Sequence, residues 1–158
     1  MRLSWCYGAP GIAAVLLRAA ETLGRDDWRD VAMQIALWAA ERELHESGVN
    51  DAEFCHGSAG LGHVFNRLYQ MSGDERLAIA AQRWFDHALA ARASQSDGRD
   101  GIAGYLTNSP TEEGEDVWTA EPAIVYGAAG IAAALAAATS DIEPSWDAMF
   151  LLSDARRN

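Results

Sequence analysis

A short phrase built around Gly-x-x-Gly occurs three times in this chain, and each copy leads into an apolar segment. Residues 5–12 read WCYGAPGI, residues 54–61 read FCHGSAGL, and residues 124–131 read IVYGAAGI. An internal repeat of this kind indicates an architecture of similar units packed side by side. Glycine at the two fixed places permits a tight entry and a close approach of backbone that a side chain would block. The repeat therefore predicts one fold made of equivalent parts.

The segment after each phrase has the pattern of a helix. Residues 12–17 and residues 131–138 are apolar on every side, which is typical of helices that are covered all round. The middle copy places apolar residues at the spacing i, i+3, i+4, i+7, i+8 and stops at Ser72-Gly73. Those residues are Leu61, Val64, Phe65, Leu68 and Tyr69. All three segments are predicted to be inner helices.

Amphipathic segments lie between these inner helices and begin after acidic pairs. One follows Asp26-Asp27 and the other follows Asp74-Glu75, where acidic side chains favour the first turn of a helix. The predicted buried faces are Val31, Ile35 and Trp38 in the first segment and Leu77, Ala81, Trp84 and Ala88 in the second. The sequence thus predicts an all-α fold of helical hairpins, each with an inner glycine-led helix and an outer amphipathic helix.

One region interrupts this rhythm. Residues 94–119 are dense in Gly, Ser, Asp, Glu and Pro, which predicts a long surface loop with a short extended piece around residues 102–106. After Pro144, the segment Trp146 to Leu152 is a candidate short helix. No second domain is indicated, so residues 1–158 are predicted to form a single domain.

Composition and charge limit the classes of function. The 49% hydrophobic and 22% charged residues are ordinary for a folded globular protein. A net charge of -11 repels phosphate backbones and anionic lipid, so we expect neither nucleic acid nor a membrane surface as partner. The apolar run of residues 12–17 is too short for a membrane span or a signal peptide. A cytoplasmic location follows as the expectation.

The chain has only two cysteines, and both stand at the second place of a phrase. The third copy has Val125 there, so the turn itself does not require a thiol. If neighbouring phrases meet, Cys6, Cys55 and His56 converge as a ligand set that suits zinc and leaves a fourth position open. The nearby helix N-termini should lower the thiol pKa. A Cys6-Cys55 disulfide and buried, unreactive cysteines remain alternatives.

The same residues carry a family resemblance. SWCYGAPG, FCHGSAGLGHVF and EPAIVYGAAGIAAAL resemble the C-terminal part of the lanthionine synthetase C-like family, the lanthipeptide cyclases, from Arg2 to about Leu152. The resemblance implies an α/α toroid of nested hairpins, of which this chain would form a part. It also implies that Cys6, Cys55 and His56 bind Zn²⁺.

The resemblance further implies a reaction and a substrate. A cysteine thiol of a dehydrated precursor peptide adds to dehydroalanine or dehydrobutyrine and closes a thioether, or lanthionine, ring. Zinc would remove the proton from this thiol. Arg2 and Tyr7 resemble active-site neighbours of the cyclases, Arg2 for developing negative charge and Tyr7 for positioning or proton transfer. A frayed terminal arginine and a core tyrosine are the alternatives.

The chain also departs from the family pattern. The N-terminal portion of a cyclase, with the His and Asp assigned to proton transfer, has no counterpart here, so we expect a truncated or split protein that is inactive alone. The open toroid should expose Ile12, Val15 and Leu16 unless self-association or a missing N-terminal half covers them. Tyr126 stands where many relatives have an acidic residue.

Other functions fit the same residues. The chain could be a non-catalytic zinc-binding or structural helical module that assembles with itself or with another chain. It could also be a thiol-adding enzyme of the same family whose substrate is glutathione or a modified protein. His63 could face the same cleft as His56, or be an ordinary buried histidine on a helix.

Overall fold

The computed structural model describes residues 2–93, 101–109, 111 and 113–153. Its α-helices are α1 (Ala9–Leu23), α2 (Asp26–Ala40), α3 (Leu44–Ser47), α4 (Ser58–Ser72), α5 (Glu75–Ala90) and α6 (Ala128–Ala138). Strands β1 (Thr107–Asn108) and β2 (Trp118–Thr119) pair antiparallel, and the predicted helix after Pro144 is a 3₁₀ helix, Ser145–Phe150. The all-α prediction is confirmed. None of the helices described is long and apolar enough to cross a membrane.

Two helical hairpins and one further inner helix form the architecture. Helix α1 packs against α2, and α4 packs against α5. Gly24 and Gly73 end the first helix of each hairpin with φ of 62° and 73°, a left-handed conformation that glycine adopts without steric cost. The predicted stop at Ser72-Gly73 is therefore confirmed.

Helix α4 is the centre of the inner row. It packs against α1 and also against α6, while α2 and α5 lie outside their hairpin partners and contact each other. Its buried residues run from Ser58 to Leu68 and include both polar and apolar side chains. The inner and outer roles predicted for α1, α4, α2 and α5 agree with this packing.

The two outer helices differ in which face they bury. In α5 the predicted residues are buried: Leu77, Ala81, Trp84 and Ala88. In α2 the prediction is wrong for Val31 and Trp38, which are 48% and 42% exposed, whereas Ile35 is partly buried against the core. The fully buried residues of α2 are alanines: Ala32, Ala36, Ala39 and Ala40. Small alanines let α2 approach α1 closely, which turns the larger apolar side chains outward.

Both helices of the first hairpin carry exposed apolar side chains. On α1, Ile12 and Val15 are 46% and 40% exposed, as the partial ring predicted, whereas Leu16 is partly buried. On α2 the exposed residues are Val31 and Trp38. We refer to Ile12, Val15, Val31 and Trp38 as the open edge. A helix that is apolar all round thus remains only partly covered here.

The described part of the predicted loop is hydrogen bonded to the third phrase and to Asp51, which lies just before the second phrase. Residues 94–100, 110 and 112 lie outside the described residues, so the extent of the loop stays a prediction. Ile102 and Tyr105 form an isolated bridge that closes a turn over Ala103 and Gly104, so the extended backbone begins later than expected, at β1. Within β1, the Asn108 N–H donates to Asp51 Oδ2 at 3.0 Å, and Thr107 Oγ1 donates to the Tyr126 carbonyl at 2.7 Å.

The second glycine of each phrase is required because no room exists there for a side chain. A Cβ there would stand 1.8, 1.7 and 1.9 Å from the carbonyl oxygen of the residue that opens the phrase: Gly11 against Trp5, Gly60 against Phe54, and Gly130 against Ile124. Contacts this short cannot be tolerated, so each inner helix is seated directly on the backbone of its own entry turn.

We predict that Gly60→Ala prevents folding or lowers the free energy of unfolding by more than about 3 kcal/mol, because the Phe54 backbone must move to admit the methyl group. Gly73→Ala is the matched control. Its Cβ would meet nothing within 4 Å, and its positive φ costs about 1–2 kcal/mol. Urea unfolding of both variants measures the difference, and equal losses would contradict the steric account.

A buried ionic cluster fastens the C-terminal segment to α4. His63 Nε2 lies 2.8 Å from Asp147 Oδ2, and the Arg67 Nε–H donates to the same oxygen at 2.6 Å. Both His63 and Asp147 are fully buried. Trp146 stacks on the His63 ring with centroids 4.9 Å apart, and the Trp5 indole N–H donates to the Phe150 carbonyl at 3.0 Å. His63 is therefore a buried structural histidine, the second of the two alternatives.

The Asp147 carboxylate is stabilised in its charged form. Burial opposes this, but hydrogen bonds from His63 and Arg67 outweigh burial and lower the pKa of Asp147 to about 2 from 3.8. Because the folded-state pKa is depressed, the stabilisation is present above about pH 4 and is lost as the pH falls towards 2.

We predict that Asp147→Asn lowers the free energy of unfolding at pH 7 by about 3–5 kcal/mol, because Arg67 loses its buried counter-charge. The difference between the variant and the wild type should shrink by about 2 kcal/mol between pH 5 and pH 2, as the wild-type carboxylate becomes protonated. Urea unfolding across this pH range is the measurement. A difference that does not change with pH would refute the assignment.

Candidate metal and thiol site

The entry turns of the three phrases lie side by side and are joined by backbone hydrogen bonds. The Trp5 N–H donates to the Cys55 carbonyl at 2.9 Å, and the Cys55 N–H donates to the Val125 carbonyl at 3.0 Å. The middle phrase is thus bonded to both of the others. This arrangement brings the second place of each phrase to one end of the inner row, as the sequence predicted.

The two thiols are neighbours. Cys6 is exposed, Cys55 is buried, and both are free, so the disulfide alternative is not the state of this structure. The Cys6 side chain lies close enough to the Cys55 thiol to contribute to a raised pKa of that thiol. Two soft sulfur donors therefore share one site, with Cys6 reaching solvent.

The surroundings of Cys55 disfavour its thiolate. Burial and the neighbouring Cys6 side chain raise the pKa of the Cys55 thiol well above its usual range. The lowering expected from the helix N-terminus is therefore wrong for Cys55, because burial dominates. The charge of the Cys55 side chain in its thiolate form raises the pKa of the nearby Tyr126 hydroxyl.

The His56 imidazole is held on one side and faces two aromatic rings. Its Nδ1 contacts Glu53 Oε1, which leaves Nε2 as the nitrogen available to a metal. The ring centroid lies 6.3 Å from that of Tyr7 and 5.7 Å from that of Tyr126. His56 is partly exposed, so the ring lies at the surface of the site.

The donor types fit zinc, although the geometry of a complete centre is not formed. Two neighbouring thiols and one imidazole whose Nδ1 faces Glu53 are donor types that zinc prefers. Across residues 2–93, 101–109, 111 and 113–153, however, no group of three or more His, Cys, Asp or Glu side chains is arranged to hold a metal ion. The zinc centre of Cys6, Cys55 and His56 therefore stays a prediction.

Arg2 and Tyr7, the predicted catalytic residues, lie together beside this site. Arg2 Nη1 donates to the Tyr7 hydroxyl at 3.4 Å, and Tyr7 is 60% exposed. Tyr7 is therefore not a core tyrosine. The Arg2 Nε is buried and has no partner among the described residues. The structure places Tyr7 beside His56 and Arg2 beside Tyr7, and their chemical roles stay predictions.

Two acidic residues just before Cys55, Asp51 and Glu53, were not among the site residues predicted from the sequence. Glu53 is fully buried and contacts His56, while Asp51 links the turn to β1 and accepts from the Glu53 N–H at 3.3 Å. Burial raises the pKa of Asp51. The available signal was a pair of carboxylates in the otherwise apolar stretch DAEFC, directly before the Cys-His pair.

Comparisons with known proteins identify relatives of this chain. The family model described as lanthionine synthetase C-like protein matches residues 1–151. Glutathione S-transferase LANCL1 of Danio rerio is 31% identical over 85 residues, which cover 54% of this chain and 20% of the relative. Nisin biosynthesis protein NisC of Lactococcus lactis subsp. lactis is 38% identical over 71 residues, which cover 43% of this chain and 16% of the relative. The matches thus span a fifth or less of these relatives.

Proposed function

The chain belongs to the lanthionine synthetase C-like family, and we propose that it carries the zinc-binding and thiol-binding part of a lanthipeptide cyclase. Its substrate would be a dehydrated precursor peptide with a free cysteine, and its location the cytoplasm. The observation that carries the proposal is the backbone hydrogen bond from the Trp5 N–H to the Cys55 carbonyl, since it holds the turn that contains Cys6 against the turn that contains Cys55 and His56.

Cys6, Cys55 and His56 would hold the metal through two sulfurs and Nε2. Zinc bound there would act as a Lewis acid that lowers the pKa of a coordinated substrate thiol. The exposure of Cys6 leaves one side of the site open to a peptide. Tyr7 and Tyr126 flank the imidazole and would position the peptide between their rings.

The addition moves one proton and forms one bond. The peptide sulfur loses its proton and bonds to the β-carbon of the dehydroamino acid, whose double bond opens towards the α-carbon. Arg2 would stabilise the negative charge that develops on the carbonyl oxygen. Tyr7, whose hydroxyl accepts a hydrogen bond from Arg2, would then deliver a proton to the α-carbon and regain one from solvent, which receives the thiol proton, so that one proton is transferred overall.

The open edge supports the inference that this chain contributes only some of the helices of a complete catalytic site. The aligned parts cover only 20% and 16% of the relatives, so those proteins have room for additional hairpins. We propose that such hairpins, on the same polypeptide or another one, cover Ile12, Val15, Val31 and Trp38 and complete the catalytic set. The chain alone would then hold zinc without cyclising a peptide.

We predict that the chain binds one zinc ion and that Cys6→Ala abolishes stoichiometric binding. Cys6 is exposed, so its loss should remove a ligand without disturbing the core. The measurement is metal analysis together with titration against a chromophoric zinc chelator. Val125→Ala is the matched control, because Val125 occupies the same place in the third phrase and has no thiol. A wild-type chain that takes up no zinc would overturn the proposal.

We predict that thioether formation requires the open edge to be covered. A dehydroalanine peptide with a free cysteine should keep its thiol when incubated with this chain alone, and lose it when the N-terminal helical region of a family cyclase is added. Val15→Glu should block this complementation because it puts a charge on the edge, whereas Ile142→Glu, at a position that is 79% exposed, should not. Thiol alkylation followed by mass spectrometry measures the outcome.

Two results would redirect the assignment. Complementation that is insensitive to Val15→Glu, or a chain that associates only with itself in light scattering, would contradict the proposed occupant and favour a structural module.

The similarity to a protein named glutathione S-transferase favours a second candidate, in which the thiol comes from glutathione. A glutathione adduct on the dehydroalanine peptide, with no ring closure, would support that candidate.

A further inference from the structure

Glu53 is a buried carboxylate whose hydrogen bonds converge on the Cys55-His56 pair. Its side chain is fully buried. Oε2 accepts from the Cys55 N–H at 2.6 Å, and Oε1 accepts from the His56 N–H at 2.7 Å. Oε1 also contacts the His56 ring at Nδ1. Burial of a carboxylate is costly unless such partners compensate, so this placement is specific.

The other two phrases show what the turn itself requires. The place two residues before the thiol is Ser4 in the first phrase and Ala123 in the third. Ser4 Oγ accepts from the Tyr7 N–H at 3.4 Å, and Ala123 has no side-chain acceptor to offer. The same turn therefore forms with a hydroxyl or with a methyl group. A carboxylate occurs there only in the phrase that contains a histidine.

The contact with Nδ1 determines which ring nitrogen is free. A carboxylate accepts hydrogen bonds, so the Nδ1 beside Glu53 carries the proton and donates it. In the neutral ring the lone pair is then on Nε2. Carboxylate partners of this kind commonly orient histidines that bind metals and increase their basicity.

We propose that Glu53 is a positioning residue that fixes the His56 tautomer, so that Nε2 is presented to a cation held by Cys6 and Cys55. This inference rests on the proposed zinc site and adds a residue to it. Glu53 acts only through His56 and the backbone of the turn. It selects which nitrogen binds and holds the ring before any metal arrives.

The first test is the tautomer of His56 in the zinc-free wild-type chain. Long-range ¹H–¹⁵N correlation NMR reports which ring nitrogen carries the proton in the neutral ring. The expected result is a proton on Nδ1. In Glu53→Ser, which copies the first phrase and retains a turn acceptor, the ring should shift to a mixture of tautomers. A proton on Nε2 in the wild type would overturn the proposal, even if the variant did not fold.

The second test is zinc affinity, measured by competition with a chromophoric chelator. Glu53→Ser should weaken zinc binding by about 10–100-fold, and Glu53→Gln, which keeps an acceptor oxygen of the same reach, should restore part of the loss. Ser4→Ala removes the corresponding hydrogen bond of the first phrase and should change the affinity by less than about threefold.

The outcomes separate this inference from the function on which it rests. A wild-type chain that binds zinc, with unchanged affinity and tautomer in Glu53→Ser, would overturn only the role of Glu53. A wild-type chain that binds no zinc would overturn the proposed function, and the tautomer measurement would still decide whether Glu53 orients His56.

Discussion

The backbone hydrogen bonds that join the three entry turns are the constraint on which the rest depends. Cys55 is bonded through its carbonyl to Trp5 and through its N–H to Val125, so the three inner helices begin at one end of the row. This junction is possible because the second glycine of each phrase lets its helix rest on the turn below it. Fold and site therefore have a common origin, since the residues that align the helices also bring the thiols together.

Much of this arrangement could be predicted from the sequence because it follows from local rules. The glycine phrases, the helical spacing of apolar residues and the acidic pairs at helix starts predicted five helices that the structure contains: α1, α2, α4, α5 and α6. The face of α2 could not be predicted, because a short alanine face and a larger apolar face both satisfy helical spacing. Only the partner decides between them, and close contact with α1 selects the alanines.

The candidate site, too, could be predicted from the sequence only in part. Cys6, Cys55 and His56 stand out because the third phrase lacks them, whereas Glu53 stands out only once its burial and its partners are seen. The direction of the Cys55 pKa shift was likewise hidden, because proximity to a helix end is visible in a sequence and depth of burial is not. Because the raised pKa keeps the buried Cys55 thiol protonated, a cation must displace that proton before it can bind the sulfur.

The central claim is that Cys6, Cys55 and His56 bind a single cation. X-ray absorption at the zinc edge of the loaded chain tests it most directly, because sulfur and nitrogen ligands differ in distance. The account predicts two sulfurs at about 2.3 Å and one imidazole nitrogen at about 2.0–2.1 Å, with the remaining position taken by a light atom. A first shell of nitrogen and oxygen alone, or with a single sulfur, would contradict it.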